Sequence, residues 1–157
     1  MGKSTLVPIV AFLGSLLIPG GAVAEVDATE QRLLRASEGL QMPGSEADSA
    51  WAFVSYPGEK DVPTADKMAR ITGCSDPMVR SDFDETFERL SRIEPWMDRG
   101  QRRSARGFGR LAKIFHREYG DDLAAYRCET GGPEVPVYFV GVNDDGLSGL
   151  KTVNIET

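Results

Sequence analysis

The sequence predicts an α+β fold with a mainly antiparallel sheet, and three observations carry that expectation. Helix-spaced apolar residues with recognisable caps fill several stretches ahead of residue 120. Strand-like runs near residues 123–129, 135–142 and 147–156 then follow one another with only turn residues between them. A short alternating run, Trp51–Tyr56, supplies a further strand earlier in the chain. Helices interleaved with such a meander make either a two-layer α+β sandwich or a three-layer α/β/α sandwich.

The chain opens with a segment that reads as a secretory signal peptide, Met1–Ala24. Lys3 gives the positive start, Leu6–Ile18 the apolar run, and Ala22-Val23-Ala24 a small-x-small cleavage site. The run is short for a bilayer span, and Pro19-Gly20-Gly21 interrupts it. Removing these 24 of the 157 residues leaves 133, one domain with a sizeable core, over 25–157. Only Lys3 leaves the charged set, so 24 acids face 17 Lys and Arg in the expected mature chain. That balance argues against a general nucleic-acid binder.

Each element has a local reason. Asp27–Leu40 is a helix candidate, with Asp27 or Thr29 as cap, Leu33, Leu34 and Leu40 on an apolar side, and Gly39 at its end. Gln41–Ser49 is a loop containing Pro43-Gly44. Pro57-Gly58 stops the strand at Trp51–Tyr56. Thr64–Thr72 is a short helix capped by Thr64 and closed by Gly73. Asp82–Ile93 repeats Phe83, Phe87 and Leu90 at helical spacing, and Asp82, Asp84 and Glu85 favour its first turn through the helix dipole. After Pro95-Trp96-Met97, the longest helix runs over Gln101–Tyr119 with Phe108, Leu111, Ala112, Phe115 and Tyr119 as its buried stripe. Gly131-Gly132-Pro133 and Asn143-Asp144-Asp145-Gly146 turn the closing strands.

Catalytic signals are weak. The one histidine, His116, stands among apolar and cationic neighbours that do not prepare it as a base. A pair of carboxylates for acid–base work remains an open alternative, although Asp82 and Asp84 are explained as helix-start residues. Asn143–Gly146 lacks the spaced ligands of a calcium loop. For an exported chain with two cysteines, a Cys74–Cys128 disulfide is the default, and two separate buried thiols the alternative. A zinc site is improbable with a single histidine.

Two surfaces could bind a partner. Arg99, Arg103, Arg106, Arg110, Lys113 and Arg117 recur at three- and four-residue steps, with no acid between Asp98 and Glu118. This row, over 99–117, is either a solvated face or a contact for nucleic acid, anionic lipid or an acidic partner. The other surface is the chain's end. If the last strand is tied down, the Thr157 hydroxyl and carboxylate and the Glu156 side chain form a cluster of oxygens suited to a hard cation or a basic cleft. The alternative is a strand that simply stops.

The last strands, with Tyr126-Arg127, Val135–Gly141 and Leu147-x-Gly-Leu-x-Thr-x-x-Ile-Glu-Thr157, resemble the carboxyl-terminal part of the nuclease A inhibitor family. The resemblance extends through Leu33-Leu34-x-Ala36-Ser37-Glu38-Gly39-Leu40, Ser45-Glu46 and Trp96, and covers roughly residues 28–157. It implies the α/β/α three-layer sandwich and a stoichiometric inhibitor, not an enzyme, that needs no cofactor of its own. The implied partner is a magnesium-dependent non-specific DNA/RNA endonuclease. The terminal Glu156-Thr157 would enter its cleft, with a Thr157 oxygen on the partner's magnesium, in trans only. Glu46 would take the place of the scissile phosphate, with Asp48 as a substitute because Pro43-Gly44 lengthens the loop. Trp96 matches a second contact; Pro95 stands where the family has an acid, and Glu94 lies one position earlier. Trp96 could equally be a core residue. The expected molecule is secreted or periplasmic, a monomer when free, with no membrane span and no direct nucleic-acid contact. The competing reading is a binding module that uses the basic helix 99–117 on an anionic ligand or partner.

Overall fold

A computed structural model describes residues 26–156; the expected signal peptide, Glu25 and Thr157 lie outside the described residues. Helix α1 runs through residues 26–37. It is followed by β1 (Ala52–Tyr56), α2 (Ala65–Thr72), β2 (Met78–Ser81), α3 (Phe83–Ser91) and α4 (Arg99–Tyr119). The chain closes with β3 (Leu123–Cys128), β4 (Glu134–Asn143) and β5 (Gly146–Ile155). The strands form one antiparallel sheet in the order β1-β5-β4-β3-β2.

Strand alternation divides the core in two. Val137 and Phe139 of β4 join Ala125, Leu150, Phe108, Phe115, Phe83, Phe87 and Leu33 in a cluster shared with α1, α3 and α4. The intervening Tyr138, Val140 and Val142 join Met68 of α2, with Val62 and Ile71 beside it. Because successive strand side chains point to opposite faces, α2 packs on one face and the other helices on the opposite one. This arrangement fits the three-layer expectation. Edge-to-face and stacked rings fill the thicker layer, with Phe87 and Phe139 centroids 4.8 Å apart and Phe83 and Phe87 4.3 Å apart.

Thr64 caps α2 as expected, and Asp82 and Asp98, which the sequence reading did not name as caps, do the same for α3 and α4. Thr64, Asp82 and Asp98 accept hydrogen bonds from the third residue of their helices. Asp98 forms a full capping box with Gln101, and for that reason α4 begins at Arg99 rather than at Gln101. Helix α1 stops three residues short of the predicted Leu40. The Leu40 amide turns back to the Ser37 carbonyl, and Gly39 takes a left-handed φ of 78°. Strand β2 was not foreseen: four residues on an edge give too little alternation to read. Its pairing starts at Met78↔Cys128, close to the Cys74–Cys128 disulfide that spans 54 residues of sequence. Loop closure of that length stabilises by about 4 kcal/mol in the chain-entropy model.

Two glycines inside α4 have opposite surroundings. A methyl on Gly107 would collide with the buried Leu40 side chain, whereas one on Gly109 would meet only Ser91 Cβ at an ordinary 3.7 Å. Gly109→Ala is therefore expected to raise stability by up to about 1 kcal/mol through helix propensity. Gly107→Ala should lower it by about 1–3 kcal/mol through overpacking. Chemical denaturation of the two variants checks this; shifts of the same sign would contradict the packing of Leu40 on α4.

Candidate functional site

Two of the residues expected to bind a partner, Glu46 and Glu156, are brought together because the end of β5 is sewn to the loop after α1. Ile155 N–H donates to Ser45 Oγ at 3.1 Å, and the Ile155 carbonyl accepts from Glu46 N–H at 3.0 Å. The loop is itself fixed: Ser45 Oγ donates to the Ala47 carbonyl, Ser49 N–H donates to Gln41 Oε1, and Ser49 Oγ accepts from Met42 N–H. Glu46 and Asp48 are exposed. The next residue after Ile155, Glu156, is held from three directions. Its amide donates to the Pro133 carbonyl at 2.7 Å. Its carboxylate accepts from Arg127 Nη2 at 2.7 Å and from Asn154 Nδ2 at 2.7 Å.

Arg127 lies on β3, two strands away, and also grips Glu129 at 2.7 Å. The Arg127 hydrogen bond holds the Glu156 carboxyl below its ordinary 4.5, with Asn154 adding to the effect. The guanidinium is correspondingly pushed up. This pair is partly solvated, so its value is positional more than energetic. The sequence reading missed Arg127 and Asn154 as site residues. No local pattern marks them, since they act only once strands distant in sequence are adjacent.

Trp96 is 70 % exposed, which excludes the core alternative. It sits on a tight turn where Met97 N–H donates to the Glu94 carbonyl. Arg102 fastens that turn by donating to the Met97 carbonyl at 3.0 Å and the Pro95 carbonyl at 3.2 Å. Trp96 and Met97 line an open cleft of about 430 Å³ together with Pro43, Ser45 and Asp48. Glu94 is half-buried and is not part of that lining. Thr157 lies outside the described residues, so its expected role on a partner's metal is not part of this geometry.

His116 has a partner that its sequence neighbours did not announce. Nε2 lies 2.6 Å from Asp84 Oδ1 on α3, and Nδ1 lies 3.1 Å from the Gly120 carbonyl. Both ring nitrogens face acceptors, an arrangement satisfied by the imidazolium, which leaves no lone pair for a general base. Among the described residues, no group of three or more His, Cys, Asp or Glu could hold a metal ion. No described helix is long and apolar enough to cross a membrane.

The loop after α1 is thus hydrogen-bonded to the end of β5, and the exposed Trp96 lines the same cleft as that loop. A family model described as nuclease A inhibitor-like protein matches residues 27–157. The chain belongs to the nuclease A inhibitor-like family. No curated protein matches it at a significant level.

The Asp84 contact raises the His116 pKa above its ordinary 6.5, with burial opposing. A raised folded value means that the pair's contribution is complete below pH 6.5 and is lost as pH rises through the folded pKa. Asp84→Asn is expected to cost up to about 1 kcal/mol at acidic pH. The gap to the parent should narrow as pH rises; a gap independent of pH, measured by urea unfolding, would contradict the ion pair.

Proposed function

We propose that this chain is a stoichiometric inhibitor of a magnesium-dependent non-specific endonuclease, exported to an oxidising compartment, and that it acts by plugging the nuclease cleft. Such nucleases bind polyanions through Arg and Lys around a hard cation, so a carboxylate-bearing edge imitates the substrate while offering no phosphodiester to cleave. In this reading Glu46 takes the scissile-phosphate position and Thr157 brings hydroxyl and carboxylate oxygens to the partner's magnesium. This donor chemistry suits a hard cation. The disulfide is compatible with a secreted or periplasmic setting.

The observation that carries the proposal is the pairing of Ile155 with Ser45 and Glu46, which makes the acidic loop and the terminal strand one body. A rigid pair of contacts loses less conformational entropy on binding than two independent ones. Trp96, exposed on its fastened turn, is the residue type expected to anchor the rim. Glu156 is assigned a bracing role: with its carboxylate held by Arg127 and Asn154, it fixes the direction in which the chain continues.

Inhibition constants of variants against a responsive nuclease test the assignment. Deleting Thr157, or making Glu46→Gln or Trp96→Ala, should weaken inhibition by about 30-fold or more, the loss typical of interface hot spots. Arg127→Ala should weaken it less, about 5- to 10-fold, because it loosens a brace without removing a contact. Melting temperatures should stay near the parent's for the deletion and for Trp96→Ala. An unchanged inhibition constant on deleting Thr157 would refute the plug.

A further inference from the structure

The cationic row on α4 is absorbed neither by the fold nor by the proposed inhibitory edge. Arg99, Arg103, Arg106, Arg110, Lys113 and Arg117 are all exposed. No carboxylate among the described residues forms an ion pair with any of them. The one acid inside the helix, Glu118, is turned away and engaged by Arg32 and Thr29 of α1. Steps of four, three, four, three and four residues keep the six within an arc of about 80° at 100° per residue. That arc is centred opposite the buried Phe108, Leu111, Phe115 and Tyr119. Helix α1 flanks α4 on one side, through Thr29 and Arg32 at Glu118, and α3 flanks it on the other, through Asp84 at His116. The row therefore runs along the crest of the helical layer, about 27 Å from Arg99 to Arg117 at 1.5 Å per residue.

We propose that this crest is a docking surface for an anionic lipid surface, so that the protein is peripherally bound at its headgroups. The argument is one of shape and charge. A convex rod with one straight row of cations touches a plane along that row, and all six charges meet it together. Lipid headgroups are laterally mobile and require no register, and each Arg or Lys near an anionic surface adds its own increment of binding. A nucleic-acid duplex carries its phosphates around its axis, so a straight rod meets only a few of them. The row has no aromatic side chain with which to stack single-stranded bases. It also has no large apolar side chain to insert, so the association is electrostatic and reversible by salt. The acidic remainder of the molecule favours the orientation in which only this crest faces the lipid.

Flotation of the full mature chain with vesicles of phosphatidylglycerol and phosphatidylcholine, with no nuclease present, tests this independently of inhibition. Retention is expected at low salt, with loss at about 0.5 M salt, where screening is nearly complete, and with none on pure phosphatidylcholine. Arg106→Gln/Arg110→Gln should lower the partition coefficient about 25-fold, roughly 5-fold per charge, and Arg106→Lys/Arg110→Lys should retain it. Lys60→Gln/Arg70→Gln removes the same charge from exposed positions in and just before α2, on the opposite layer, and should leave binding near the parent's. Failure of the parent to float at low salt overturns the proposal. So does equal loss in the opposite-layer variant, which would reduce the effect to net charge, or tighter binding to duplex DNA than to vesicles at the same salt. Circular dichroism confirms that each variant is folded.

Discussion

Ten successive pairings, from Glu134↔Ile155 to Asn143↔Gly146, lock β4 to β5, and both the core and the candidate site are built on that register. Phe139 and Leu150 face each other on the helical side, while Val140 and Leu147 lie in the opposite cluster. A one-residue slip would exchange those faces and strand a row of apolar side chains on the wrong layer. The hairpin turn guards against it: Asn143 pairs with Gly146, and Asp145 N–H donates to Asn143 Oδ1 at 2.9 Å. The same register delivers Ile155 to Ser45 and Glu46 and Glu156 to Arg127. Packing and the placement of Glu46 and Glu156 thus share one constraint.

Legibility followed range of interaction. Helices α2, α3 and α4 were readable because their caps and apolar spacing are local signals, and the meander because turn residues separate its runs. The end of α1 was misjudged because Leu40 is apolar and buried but reaches the core from a turn, not from the helix. Strand β2 exists because β3 offers it a partner, a fact with no trace in Met78–Ser81 itself. Trp96 is exposed on a turn that Arg102 fastens from α4, a contact its own neighbours do not announce, so the residue alone could be read either way. Ser45 and Glu46 were reached through resemblance to a family, whereas Glu156 was reached from the pattern of the last strand as well. Their joining through Ile155 and Arg127 required the sheet.

Charge is also sorted by the fold. The sequence is acidic overall, with 24 Asp and Glu against 18 Lys and Arg, yet a third of those cations form one straight row. The Arg127–Glu156 pair marks the site edge, where a cation orients an acid. The α4 crest is the opposite case, a set of cations that form no ion pair among the described residues. In the proposed reading the acidic edge faces a nuclease cleft and the basic crest an anionic surface. Both can operate in one molecule because only Arg103 among the row borders the cleft beside Trp96.

The most direct test is an equivalence-point titration. A chain of residues 25–157, with no tag after Thr157, is added in steps to a fixed amount of each of several magnesium-dependent non-specific nucleases while DNA cleavage is followed. A linear fall to zero at one inhibitor per enzyme, for at least one nuclease, is the predicted result. Undiminished cleavage by every nuclease at large excess of the chain would contradict the account.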